Sequence, residues 1–147
     1  MQDNTRISLS GNRLIWTDWR NGKWTYSSSY NADIYLYDLE TGKEYNVTYD
    51  SRKDQESGDV YGDYVVWTDL RHGYHDMTGW YVNSEIYLRR VRGGIWPQWR
   101  LTNTPERNEY WPQIYKNYII WYASYPNQDY RFDKHVYLYD FSELVGE

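Results

Sequence analysis

An all-β fold built from repeated antiparallel units is predicted by three observations on this chain of 147 residues. A short apolar segment ending in tryptophan recurs as LIW, VVW and IIW, closing at Trp16, Trp67 and Trp121 with spacings of 51 and 54 residues. A second segment recurs in step with it, as DIYLYDL (Asp33 to Leu39), EIYLRRV (Glu85 to Val91) and HVYLYDF (His135 to Phe141). Helical periodicity is absent along the chain, so essentially no helix is expected. Two β-patterned segments repeating at one fixed period mean an array of like supersecondary units.

Aligned on the tryptophans, the units span about 6–57, 58–110 and 111–147. Each opens on a short strand: RISLS in the first, DVYG in the second, PQIY in the third. Turns follow at Gly11-Asn12, Gly62-Asp63 and Lys116-Asn117. Gly-Asn and Gly-Asp suit a tight hairpin that needs positive φ, so Lys116 predicts a turn of another type in the third unit. The tryptophan strand comes next, then a long loop, then the IYLYD-type strand. Thr41-Gly42 and Gly93-Gly94 signal the following turns, before fourth strands EYNVT (Glu44 to Thr48) and QWRLT (Gln98 to Thr102). Each full unit is thus a four-stranded antiparallel meander. FSELVGE offers no match to the Leu-Thr ending, so the third unit lacks its last strand.

The middle strands are apolar or aromatic at nearly every position: Ile34 and Leu36 alternate with Tyr35 and Tyr37, and Leu14 and Trp16 flank Ile15. A sheet apolar on both faces must be covered on both faces. Stacked four-stranded sheets of this repeat length are the blades of a β-propeller, with an aromatic β-sandwich as the alternative.

Composition sets outer bounds. The chain has 19 Tyr and 9 Trp against 2 Phe and 2 Met, a mixture suited to half-buried sheets and wet binding surfaces. A net charge of −5 argues against nucleic acid or an anionic membrane as default partner. No apolar run approaches the roughly 18 residues of a spanning helix, so no membrane insertion is expected. The opening MQDNTRISLS has neither the basic nor the apolar region of a signal peptide. Without cysteine there are no disulfides or thiolate metal sites. Asn46-Val47-Thr48 is the one N-glycosylation sequon, which makes Asn46 a candidate acceptor.

The run WTDWRNG…DIYLYDLETGKEYNVT resembles the blade repeat of TolB-like β-propellers. In those, a strand ending in Trp or Phe, then Asp-x-Arg-x-Gly, leads to an Ile-Tyr-x-x-Asp strand and a Leu-Thr ending. The second unit matches through WTDLRHG, EIYL and RLTNTPERNEYWP; the third keeps IIW and VYLYD but has Ala123 and Tyr125 where Asp and Arg would sit. The resemblance covers almost the whole chain. It implies a three-blade segment or half-propeller, in a family that serves in envelope complexes, as regulatory domains of peptidases and as surface adhesion arrays. It also implies a location outside the cytoplasm, extracellular or in the cell envelope. Such propellers usually close with six blades, and three cannot close a ring. Both end blades then expose an aromatic face, to be covered by further chain or by identical subunits completing the propeller.

The lengthened loops between second and third strands are the candidate binding elements: Asn21 to Ala32, His72 to Ser84 and Ser124 to Lys134. In a propeller they share one rim with the connections Tyr49 to Ser57 and Asn103 to Tyr110, and together they carry Trp24, Tyr26, Tyr30, Tyr74, Trp80, Tyr81, Tyr130 and Phe132. Rigid rings among hydroxyls resemble a paratope, suited to a protein or a glycan; packing of the same rings on neighbouring blades is the alternative. The pairs Asp18/Arg20 and Asp69/Arg71 are expected to hold the strand-end turns. Asp54, Glu56, Glu106 and Glu109 read as solvated rim carboxylates rather than a paired-carboxylate site. His72, His75 and Asp76 do not make up a metal set without further ligands, and no nucleophile constellation, phosphate loop or cofactor motif is present. The expected function is a non-catalytic binding or assembly module. It would recognise a protein or glycan through aromatic loops and self-associate by β-augmentation at the unpaired edge of the third blade. The alternatives are a regulatory or substrate-gating propeller of a larger hydrolase or peptidase, and a lectin stacking sugars on Trp24 and Trp80.

Overall fold

The computed structural model describes residues 6–25, 28–50, 53–75, 81–125 and 134–146. The chain is all-β, with three antiparallel sheets laid down one after another, none of which closes on itself. In the first, β1 (Ile7–Ser10) and β2 (Arg13–Asp18) are followed by a ribbon of β3 (Lys23–Thr25) and β4 (Ser28–Tyr30), then by β5 (Asp33–Asp38) and β6 (Lys43–Asn46). The second repeats this plan with β7 (Gln55–Tyr61), β8 (Tyr64–Asp69), a ribbon of β9 (Tyr74–His75) and β10 (Tyr81–Val82), β11 (Glu85–Arg90) and β12 (Gln98–Arg100). The third holds β13 (Asn108–Tyr115), β14 (Tyr118–Ser124) and β15 (Lys134–Asp140), and the chain then makes one turn of helix, α1 (Ser142–Val145). Sheet orders are β1-β2-β5-β6, β12-β11-β8-β7 and β13-β14-β15, so each is a meander and the third is one strand short.

Register repeats with the sequence. Trp16 pairs with Tyr35, Trp67 with Tyr87 and Trp121 with Tyr137, which puts the tryptophan at the same register position in all three sheets. β7 and β13 begin a few residues before the repeat boundaries drawn at Gly58 and Trp111, and each is bulged there, with Ser57 and Trp111 both at φ 54. The fourth strands are shorter than EYNVT and QWRLT suggest. Beyond β6 the backbone N–H of Ile34 donates to Thr48 Oγ1 at 3.0 Å, and beyond β12 that of Ile86 donates to Thr102 Oγ1 at 2.9 Å. A threonine hydroxyl thus replaces the carbonyl that a continuing ladder would have supplied.

One expectation is corrected. Lys116 does not select another turn: its φ of 55 matches Gly11 and Gly62, each at 56. The two-residue link between the paired Tyr115 and Tyr118 imposes positive φ on its first residue whatever stands there. The expectation of essentially no helix holds among the described residues, where the only helical segment is the four-residue turn α1. Asp140 Oδ1 accepts the Ser142 N–H at 3.0 Å and the Ser142 hydroxyl at 2.7 Å, which starts the turn, and Gly146 at φ 70 ends it.

The core lies between sheets. Ile15, Ile34, Leu36 and Val47 of the first sheet meet Val60, Val65, Trp67, Tyr87 and Val91 of the second. The other face of the second sheet, Tyr64, Val66, Ile86 and Leu88, meets Ile114, Ile119, Trp121 and Phe141 of the third unit. The middle sheet is therefore covered on both faces, as its unbroken apolar strands require, and Trp67 is fully buried at 0% exposure. Burying a side chain of that size stabilises the fold by roughly 3 kcal/mol. Gly58 permits the close approach: a Cβ there would lie 3.2 Å from the Cδ1 atoms of both Ile15 and Ile34.

Candidate functional site

One end of the stack gathers the ribbons, the sheet-to-sheet connections and the Asp18/Arg20 and Asp69/Arg71 pairs. β2 and β8 finish there, and the chain passes from the first sheet to the second at the same end: Val47 N–H donates to Ile34 O at 2.7 Å and Gln55 N–H to Ala32 O at 2.8 Å. The connection is fixed further by Asp54, which accepts the Ala32 N–H at 2.9 Å; partial burial raises the pKa of its carboxyl. The next connection is tied in the same way, with Glu109 N–H donating to Ser84 O at 3.0 Å.

At this end each tryptophan heads a four-part stack. Trp16 lies on Tyr35 with centroids 6.0 Å apart, the Arg20 guanidinium caps the Tyr35 ring at 4.2 Å, and Asp18 accepts the Trp16 indole N–H at 2.9 Å and Arg20 at 2.6 Å. Held by Arg20 first and also by the indole, the Asp18 carboxyl has its pKa lowered to about 2. The second sheet repeats the stack: Trp67 on Tyr87 at 6.0 Å, Arg71 over Tyr87 at 4.4 Å, and Asp69 taking the Trp67 indole at 2.8 Å and Arg71 at 2.7 Å. The turn-holding role expected for both Asp/Arg pairs is present, since each aspartate also accepts the backbone N–H two residues on, Arg20 at 2.8 Å and Arg71 at 2.9 Å.

The third sheet lacks that pair in sequence and still builds the stack. Trp121 lies on Tyr137 at 5.8 Å, Arg107 sits over Tyr137 at 4.5 Å, and Glu109 accepts both the Trp121 indole N–H and Arg107 Nε. Glu109 is 0% exposed, which corrects its reading as a solvated rim charge. Glu106 is exposed, as expected. The signal for the missed pair is Arg107-x-Glu109 at the entry to β13, with Glu109 opposite Ala123 in register.

Two further carboxylates are buried behind the stacks. Asp33 and Glu85 pair with Asp18 and Asp69 across the strands. Thr48 Oγ1 donates to Asp33 at 3.1 Å, while Glu85 takes Arg100 at 2.8 Å, the Thr104 N–H at 3.1 Å and the Thr102 hydroxyl. Thr48 of the Asn46 sequon is thus fully buried, and Asn46 Oδ1 accepts its N–H at 2.9 Å. His72 joins the second stack through Nε2, 2.7 Å from Tyr87 Oη; Asn21 holds the same place in the first, donating to Tyr35 Oη at 2.8 Å. Desolvation, with Arg100 and Arg71 nearby, lowers the His72 pKa. Among the described residues no group of three or more His, Asp or Glu could hold a metal ion; Asp76 lies outside them.

The candidate binding aromatics divide. Trp24 and Tyr30 lie on β3 and β4, Tyr74 and Tyr81 on β9 and β10, so two of the three lengthened loops are two-stranded ribbons. Tyr74 is 59% exposed. Tyr26, Trp80, Tyr130 and Phe132 lie outside the described residues. No protein-family model matches the chain, and no curated protein matches it in sequence.

Proposed function

We propose that the chain is a non-catalytic β-propeller binding and assembly module, its sheets serving as blades, that recognises a protein or glycan through the aromatic ribbons at one rim. The carrying observation is the recurrence of one Trp/Tyr/Arg/carboxylate stack in all three sheets. A constellation repeated with each sheet, its charges satisfied internally, supports a structural role for the residues that otherwise look most like chemistry. What differs between the first two units is the ribbon that follows the tryptophan strand, where variable function on a rigid scaffold is expected. The likeness to TolB-like repeats supports a place in the cell envelope or outside the cell, with no cofactor.

The test compares the parent chain with Trp80→Ala/Tyr81→Ala on immobilised glycans and in capture from an envelope extract. The expected result is binding by the parent and at least a tenfold loss in the variant, with unchanged melting temperature. Equal binding by both, or a large loss of stability, overturns recognition through the ribbons.

A further inference from the structure

The three sheets stack head to tail. The tryptophan-bearing face of the second sheet packs on the first, and that of the third packs on the second. This single pairing of faces, used twice, leaves one copy of each face without a partner among the described residues. The tryptophan-bearing face of the first sheet presents Leu9 at 62% exposure and Leu39 at 55%. Their counterparts are buried: Val60 (4%) and Ile114 (6%) for Leu9, Val91 (5%) and Phe141 (2%) for Leu39. The opposite face of the third sheet presents Val136 at 64% and Leu138 at 66%, where the first sheet has Ile34 (0%) and Leu36 (2%) and the second Ile86 and Leu88, both 0%.

We infer that a second copy of this chain covers these faces, the first sheet of one copy docking on the third sheet of the next in the geometry the molecule already uses twice within itself. The inference rests on the sheets being successive blades, and it names the partner for assembly. Both surfaces keep apolar residues at the positions that are buried elsewhere, so the contact continues an interface already built. Tyr122 departs from the pattern, standing where Thr17 and Thr68 stand; its ring stacks on Tyr110 at 6.1 Å and so has a place within its own sheet. The contact joins two different surfaces. It therefore closes into a ring if the rotation per sheet allows and otherwise propagates as a filament.

Sedimentation of the parent chain across a dilution series should show association above the monomer mass. Leu9→Lys and Leu138→Lys each charge one of the two surfaces at an exposed position, and neither variant alone should form rings or filaments. Mixed, they should give a one-to-one complex, because the intact third-sheet face of the Leu9→Lys chain meets the intact first-sheet face of the Leu138→Lys chain. A monomeric parent overturns the inference, as does association that survives both charges and is abolished by Val136→Pro, which would mark edge pairing through β15. Should Leu138→Lys fail to fold, Val136→Lys charges the same face. Trp80→Ala/Tyr81→Ala leaves the mass unchanged, so failure of ribbon recognition and failure of stacking read out separately.

Discussion

Glu109 lies directly across the β13–β14 pair from Ala123, in the position from which Gln55 faces Asp69 in the second sheet. The third unit has moved its carboxylate from one strand to the neighbouring one, and the small side chain of Ala123 leaves room for it. Trp121 and Arg107 are thereby held as Asp69 holds Trp67 and Arg71. Glu109→Gln removes the charge and leaves Arg107, half-buried on Tyr137, without its counterion. The expected loss is about 3 kcal/mol, since breaking such a pair leaves an uncompensated charge. Glu109→Gln/Ala123→Asp/Tyr125→Arg restores the arrangement of the second sheet and should recover most of that loss. Thermal unfolding of the single and triple variants decides the matter, and a triple variant no more stable than the single one contradicts the exchange of strands.

Lys116 shows the same backbone demand met by a costlier residue. A non-glycine side chain in the left-handed region costs on the order of 1–2 kcal/mol, and a glycine there gives back part of that through the entropy of the unfolded chain. Lys116→Gly should therefore stabilise by roughly 0.5–1 kcal/mol. The reverse changes, Gly11→Ala and Gly62→Ala, should each cost about 1 kcal/mol. A Cβ at Gly11 or Gly62 meets nothing within 4 Å, so these substitutions measure backbone strain alone. Chemical denaturation of the three variants checks the sign, and a destabilised Lys116→Gly would show that the Lys116 ammonium, 5.4 Å from the Tyr115 ring centre, matters more than the strain.

Strand order, the missing fourth strand and the positions of the tryptophans were legible because register copies the repeat: Trp16, Trp67 and Trp121 fall at one place in three sheets. Local contacts were legible too, such as Asp18 with Arg20, which are two residues apart. Glu109 was not, because its meaning depends on the residue across the strand at position 123 rather than on any neighbour in sequence. Lys116 misled for a related reason, since turn geometry is imposed by the paired strand ends and residue preference only sets its energetic cost. The ribbons were read as loops because two-residue strands such as Tyr74–His75 carry no periodicity. The candidate binding aromatics follow from composition and loop length alone, which point to a surface without arranging it.

His72 gives a pH signature with a defined sign. Its pKa in the folded chain lies below 6.5, chiefly through desolvation. The unfolded chain then binds more protons, so this contribution to stability is complete above about pH 6.5 and is lost as pH falls through the window below it. Asn21 makes the equivalent contact to Tyr35 without titrating. His72→Asn should thus keep the parent melting temperature at pH 8 and lose less of it than the parent between pH 7 and 5. The effect is small, because the imidazole is largely exposed. Parallel melting curves at both pH values test it, and a variant already destabilised at pH 8 would show that the ring packs in a way asparagine cannot reproduce.

Asp59 is the polar counterpart of the apolar stack. It sits on β7 and accepts the Ser8 hydroxyl of the first sheet at 2.5 Å, while its other oxygen accepts the Ile114 N–H of the third at 2.9 Å, so one carboxylate ties three sheets. Arg6 lies 3.9 Å from the same group. Asp59→Ala strips a partner from a backbone donor and a hydroxyl at two different interfaces, and about 2 kcal/mol is the expected cost of two such losses. Asp59→Asn keeps the shape and one good acceptor, so it should cost about half as much. Because both interfaces weaken together, unfolding of Asp59→Ala should stay a single transition with an unchanged denaturant slope and a lower midpoint. Separation into two transitions would show instead that the sheets unfold independently, with the carboxylate as the link that couples them.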